Sequence, residues 1–260
     1  MTPGARHHDL PAFYRLVALD QVASTNDEAL GLVAEGAGEG TLITARRQTA
    51  GRGRRGRTWQ SDEGNLFLSL ILKPKGGLGA AGAVGFTAAL AIADAIACLM
   101  GHDAEISLKW PNDVLIGGRK ASGLLIERAA GAVDDAFVLG VGINLVSHPH
   151  DTRYPATDLC AEGAGDVSVS MALQEFCSAF LRRYHGWQED GFGPLREAWL
   201  ARARGLGEKL SVEIEERRFD GVFRTIDETG ALCLDLGPNG VKKVTAGDIY
   251  FHDSPGKHPC

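Results

Sequence analysis

The segment TARRQTAGRGRRGRTW, residues 44–59, places six arginines (Arg46, Arg47, Arg52, Arg54, Arg55 and Arg57) within twelve positions, interleaved with Gly51, Gly53 and Gly56. Like charges packed this closely repel, and glycine adds to the entropy lost on ordering, so such a loop costs stability unless a bound anion offsets it. The planar guanidinium fork matches phosphate and carboxylate, at about 1.5–3 kcal/mol per hydrogen bond to a charged group. Two lysines, Lys109 in KWPND (109–113) and Lys120 in GRKASG (118–123), add cations at strand ends, and Asn112 and Asp113 supply a neutral and a charged oxygen beside them. GVGIN (140–144) follows an apolar strand and permits close approach of backbone to a ligand, although a tight turn would explain the same glycines.

The chain has no G-x-S-x-G, Walker A or H-E-x-x-H motif. Without an activated nucleophile, the expected chemistry is one in which the substrates bring the reacting groups and the protein brings positioning and charge. Gly51-x-Gly53-x-x-Gly56 matches a dinucleotide fingerprint literally, but a strand follows it where a helix is required, and Ile71-Leu72-Lys73 stands where an acidic residue belongs. The eight histidines show no ligand spacing, so no metal site is expected. The cysteines (Cys98, Cys160, Cys177, Cys233 and Cys260) are odd in number and lack C-x-x-C spacing, which fits reduced thiols in a cytoplasm.

With a formal net charge of −6, the chain is not a general polyanion binder, because duplex binding requires an extended basic face. A local cationic loop on an acidic protein suits a small, highly charged ligand. The N-terminus lacks the layout of a signal peptide, and Gly82, Gly85, Thr87 and Asp94 interrupt the apolar run 80–100, which reads as a buried helix and not a membrane span.

The elements that must hold these residues follow from pattern. Phe13 to Leu19 reads as a strand, and STNDEAL starts a helix through about Glu35, with Thr25 and Glu28 at capping-box spacing. TLITAR (41–46) and NLFLSLIL (65–72) are strands joined by the arginine loop. A helix over about 82–101 leads to two or three strands broken at Pro111 and Gly117-Gly118, and then to the strand AFVLGVGINL. Helical periodicity covers 168–191 and 194–204. After Gly205, KLSVEIEE, RFDGVFRTID, ALCLDL and VKKVTAGDIYF read as short strands separated by turns at 227–230 and 238–240. The expected fold class is α+β, with a mixed-sheet domain over 1–204 and a small β-barrel domain over 205–260.

Taken in order, STND (24–27), QTAGRGRRGRTW (48–59), KWPND, KASGLLIE (120–127) and GVGIN resemble the biotin protein ligases. The similarity is strong over about 14–146, and the terminal β-domain agrees with that family's SH3-like barrel. The resemblance implies ATP-dependent conversion of biotin to biotinyl-5′-AMP, with Mg2+ accompanying ATP. Transfer then follows to a lysine of a biotin carboxyl carrier protein, such as that of acetyl-CoA carboxylase. It implies biotin contacts for Ser24, Thr25, Asn26, Gln48, Arg52, Gly53, Arg54, Lys120 and Gly123, and nucleotide contacts for Arg54, Arg57, Trp59, Asn112, Lys120 and Asn144. Arg52, Arg54 and Lys120 are the expected catalytic cations, and Asp113 is expected to orient the acceptor lysine. Only about twenty residues precede Ser24, too few for the winged helix-turn-helix of regulatory ligases, so no DNA partner is expected. No membrane partner is expected, and a homodimer is open. The rival within the same fold, a lipoate ligase or octanoyl transferase, calls for a glycine-rich motif with His-Asp where the arginine loop stands. An RNA-binding module would need aromatics interleaved beyond Trp59.

Overall fold

The computed structural model describes residues 10–76, 80–101, 104–129, 136–150, 152 and 154–251; Cys260 and the ends of both expected domains lie outside them. Seven strands form one mixed sheet: β1 (Arg15–Val22), β2 (Thr41–Gln48), β3 (Leu66–Leu72), β4 (Ile106–Lys109), β5 (Asp113–Ile116), β6 (Arg119–Arg128) and β7 (Phe137–Ile143). Their order is β1-β2-β3-β7-β6-β5-β4, parallel between β1 and β2 and antiparallel elsewhere.

Side chains alternate between the two faces of a strand, and here the faces differ in kind. Leu66, Leu68, Leu70 and Leu72 of β3 and Leu139, Val141 and Ile143 of β7 pack on α2 (Ala81–Met100) and α3 (Val169–Asp190). α2 is long and apolar enough to cross a membrane, yet 67% of that stretch is buried inside the protein, so it is the central core helix. On the other face, α1 (Thr25–Ala34) covers Ile43, Ile71 and Val138. Beyond α1 the same face of β7 continues with Gly140 and Gly142, and β6 adds Gly123. There the helix cover stops and a cavity begins.

The second sheet is antiparallel and joins β8 (Lys209–Ile214), β9 (Arg217–Ile226), β10 (Leu232–Asp235), β11 (Val241–Val244) and β12 (Asp248–Phe251) in the order β11-β10-β9-β8-β12. The run 241–251, expected as one strand, is two. β11 pairs with β10 at one edge and β12 with β8 at the other, so the chain crosses over at 245–247. The helix expected over 194–204 is α4 (Phe192–Leu200); residues 202–204 instead lie along β4, with Leu108 N–H donating to Arg202 O and Arg204 N–H to Leu108 O. The apolar core is continuous across this junction, from Leu70 and Ile92 to Val212 and Phe223. Trp110, 2% exposed, adds a hydrogen bond from Nε1 to Gly230 O at 3.1 Å, so the β4–β5 turn is held against the second sheet.

Candidate active site

A cavity of about 310 Å3 lies between the start of α1, the arginine loop, the glycines of β6 and β7, the β4–β5 turn and β12. Every site residue expected from the sequence lines it: Ser24, Thr25, Asn26, Gln48, Arg52, Gly53, Arg54, Arg57, Trp59, Asn112, Asp113, Lys120, Gly123 and Asn144.

One end is a hydrogen-bonding wall. Gln48, at the end of β2, accepts from Thr25 N–H (2.8 Å) and Thr25 Oγ1 (3.1 Å) through Oε1, and its Nε2 donates to Ser61 Oγ (2.9 Å). Ser69 Oγ stands 2.8 Å from Thr25 Oγ1 and 2.5 Å from Asn26 Oδ1, while Asn26 Nδ2 donates to Glu127 Oε2 at 2.6 Å. The capping box expected at Thr25 is therefore absent. Ser24 is the N-cap, without a side-chain cap bond, and Thr25 is the first helical residue, its hydroxyl turned to Gln48 and Ser69. Buried tertiary partners outcompete the local cap.

The floor depends on glycine for lack of volume. A Cβ on Gly140 would stand 2.3 Å from Asn26 Oδ1, and one on Gly142 would stand 2.4 Å from Trp59 Cε2. The Trp59 ring thus rests on β7, 5.3 Å from Lys120 Nζ, with its own Nε1 buried and unpaired by hydrogen bonds among the described residues.

The other end collects cations. Lys120 Nζ is 2.6 Å from Asp113 Oδ1, an ion pair across the β5–β6 hairpin. Arg54 Nη1 donates to Asn112 Oδ1 at 3.2 Å, and Asn112 Nδ2 donates to Leu124 O. Burial, reinforced by the neighbouring Arg55, pushes the Arg54 guanidinium below its ordinary range. Lys109 Nζ lies 3.5 Å from the centre of the Tyr154 ring, and burial pushes its ammonium down to about 8 against the pull of Asp113.

The loop itself corrects an expectation. Its arginine repulsion is offset by the protein's own carboxylates. Arg52 makes two 2.6 Å bonds to Asp27 and reaches Glu127 at 3.1 Å, while Arg55 and Arg57 both donate to Asp248. The backbone closes on itself through Gly53 N–H to Arg57 O (2.7 Å) and a single 3-10 turn at Arg54–Gly56. The Asp27 hydrogen bonds, opposed by burial and supported by Glu127, raise the Arg52 pKa, so Arg52 carries a charge already paired. Asn144 is likewise engaged, 3% exposed, with Nδ2 donating to Thr157 O.

Sequence reading did not single out Ser69, Ser61, Glu127, Asp248 or Tyr154 as site residues. Ser69 left one signal, as the only polar residue in the apolar run LFLSLIL of β3. Among the described residues no group of three or more His, Cys, Asp and Glu side chains could hold a metal ion.

Two family models match the chain: the biotin/lipoate A/B protein ligase family over residues 19–144 and the biotin protein ligase C terminal domain over 205–252. A biotin--[acetyl-CoA-carboxylase] ligase of Paracoccus denitrificans is 38% identical over 239 residues, covering 90% of this chain and 99% of the relative. A bifunctional ligase/repressor of Bacillus subtilis (strain 168) is 34% identical, covering 90% of this chain and 73% of that protein. Among solved structures, the biotin protein ligase from Aquifex aeolicus in complex with biotin and ATP superposes with a TM-score of 0.78 at 28% identity, covering 91% of this chain and 97% of that one.

Proposed function

The chain belongs to the biotin protein ligases, and from that premise we propose how its cavity performs their two-step reaction. In the first step a biotin carboxylate oxygen attacks the α-phosphorus of ATP and the bond to pyrophosphate breaks, leaving biotinyl-5′-AMP. In the second, the amine of an acceptor lysine attacks the acyl carbon, an amide forms and AMP leaves. The acceptor is a biotin carboxyl carrier protein, that of acetyl-CoA carboxylase by likeness to the relatives.

The observation that carries this reading is the polarity gradient along the cavity. A wall of Ser24, Thr25 and Gln48, held from behind by Ser61 and Ser69, gives way to the floor of Gly140, Gly142 and Gly123, and then to Lys120, Arg54, Arg57 and Lys109. Biotin has the same order of parts: a ureido ring that donates and accepts, an apolar bicycle and chain, and a carboxylate. Joining a carboxylate to a phosphate brings two anions together, so fixed cations at that end stabilise the transition state most.

Lys120 and Arg54 are the proposed catalytic cations at this junction; Arg52, expected as a third, is already paired with Asp27 and Glu127 and is proposed for the biotin half instead. Arg52, Gly53 and Gly123 shape the biotin half together with Ser24, Thr25, Asn26 and Gln48. Arg57, Trp59, Asn112 and Asn144 form the nucleotide half, Asn144 by holding the chain at Thr157. Mg2+ is proposed to arrive bound to the ATP phosphates, where it neutralises charge. Asp113, already paired with a lysine ammonium, is proposed to orient the acceptor lysine. The free thiols support a reducing, cytoplasmic setting.

The test incubates the protein with ATP, Mg2+ and either biotin with a biotin carboxyl carrier domain or lipoate with a lipoyl domain, and follows AMP release and carrier mass. One biotinyl group on one lysine is expected. Modification by lipoate and none by biotin would move the chain to the rival activity.

A further inference from the structure

Asp27 at the start of α1 and Glu127 on β6 touch residues that line the cavity but do not line it themselves. Glu127 accepts from two of them. Asn26 Nδ2 donates to its Oε2 at 2.6 Å, and Arg52 Nη2 lies 3.1 Å from Oε2 and 3.2 Å from Oε1. Asn26 is buried in the first turn of α1, with Ser69 on its other amide atom, whereas Arg52 comes from the root of the arginine loop. Asp27 closes the bracket with two further bonds to Arg52. One carboxylate on a sheet strand therefore bridges the biotin wall and the loop that covers it.

We propose that Glu127 is a positioning residue that couples the biotin subsite to the root of the arginine loop, setting how long biotin is held and not how fast it reacts. The coupling deepens the biotin-ligase reading above and rests on it. Glu127 fixes which way the Asn26 amide faces, since a carboxylate accepts only and so keeps Nδ2 toward β6 and Oδ1 toward Ser69. Through Arg52 it also holds the loop root against α1, so that the loop closes from a fixed hinge. The reacting groups share no bond with Glu127: Lys120, seven residues back on β6, is paired with Asp113, and Arg54, two residues beyond Arg52 in the loop, with Asn112.

Glu127→Gln keeps the shape and removes the charge. In the full chain, with biotin titrated calorimetrically and pyrophosphate release followed at saturating biotin, the expected result is a biotin Kd raised about ten-fold. The release rate and the KM for ATP stay within about two-fold of the parent, and Glu127→Asp recovers part of the affinity. In an Arg52→Met background the same substitution adds less than about two-fold, because the two residues act as one unit. An unchanged biotin Kd, a slowed release rate at unchanged Kd, or full additivity with Arg52→Met would overturn the proposal. Asp27→Asn, at a side chain 50% exposed, tests the same bracket without altering β6 and should weaken biotin in the same direction. A parent that binds no biotin would defeat the ligase reading itself. A parent that binds biotin, with the Gln protein binding equally well, would defeat only the coupling.

Discussion

Asp248 and Arg55 are 193 positions apart in the chain and 3.1 Å apart in the structure, with Arg57 donating to the same carboxylate oxygen. Asp248 opens β12, so the second sheet reaches over the cavity and takes hold of the loop tip. Burial alone would raise the Asp248 carboxyl; the hydrogen bond from Arg57 and the charges of Arg57, Arg55 and Arg54 overcome it and hold it below the ordinary carboxylate range. Asp248→Asn should therefore free the tip while leaving the root bound through Arg52. Since the two arginine side chains are 40% and 57% exposed, the stability cost should stay within about 1 kcal/mol. Amide exchange across 54–57 should accelerate in the variant, and exchange equal to the parent's would show that the ion pairs do not hold the loop.

Arg54 joins the same loop to the β4–β5 turn through Asn112. A mixed anhydride that must await a protein acceptor needs a cover that excludes water and stray amines. Arg54→Gly removes a charge-assisted bond of about 1.5–3 kcal/mol and puts a third glycine between the existing Gly53 and Gly56, which loosens the loop backbone further. With Lys120 still neutralising the junction, the variant should make biotinyl-5′-AMP more slowly but release it, and biotin should appear on lysines of unrelated proteins added at high concentration. Retention of the intermediate for as long as in the parent would remove the covering role from Arg54.

Lys109 gives the site a pH limb. Burial lowers its ammonium to about 8, with Lys120 and Arg57 acting in the same sense and Asp113 and Asp248 against it. Above pH 8 the folded protein has lost this proton while the unfolded chain keeps it to about 10.4. The Lys109 contribution to stability therefore rises with pH between these values, by roughly 3 kcal/mol in all. Binding of anionic ATP runs the other way and should weaken as pH passes 8, because a cation disappears from the nucleotide end. Lys109→Met keeps an apolar stem on Tyr154 and should abolish both trends. Persistence of the alkaline fall in kcat/KM for ATP in the variant would assign that limb to another group.

How much of this was legible in the sequence depended on whether a residue's role is local. The all-apolar strands β3 and β7, the core helix α2 and the order of the cavity motifs follow from period and spacing. The carboxylates that neutralise the loop do not, because Asp27, Glu127 and Asp248 meet Arg52, Arg55 and Arg57 only after the sheet and the second sheet have assembled. The same cause undid the capping box, where Thr25 has the right spacing for a local bond but finds tertiary partners in Gln48 and the buried Ser69. Asn144 and Asn112 show the converse. Both stand in the motifs, yet their amide nitrogens hold backbone carbonyls at Thr157 and Leu124, so part of what the motifs encode is scaffold.

Gly142 supplies the most direct test of the cavity floor. Its missing side chain is where the Trp59 ring lies, and a methyl group would come within 2.4–2.6 Å of Cε2, Cζ2 and Nε1. The strand cannot retreat, because β7 is fully buried and paired on both sides, to β3 and β6. The indole must move instead, since it is carried on the arginine loop and not on the sheet. Gly142→Ala should therefore displace Trp59 into solvent, red-shift part of the tryptophan emission and cost about 1–3 kcal/mol, as overpacking does elsewhere. Adenylate formation should fall with it, since the ring that borders Lys120 is no longer in place. A second substitution, Trp59→Leu, removes the clash, so the double variant should be no less stable than Trp59→Leu alone. If the double variant is as destabilised as the sum of the two single changes, the indole does not rest on Gly142, and the floor of the cavity is built differently.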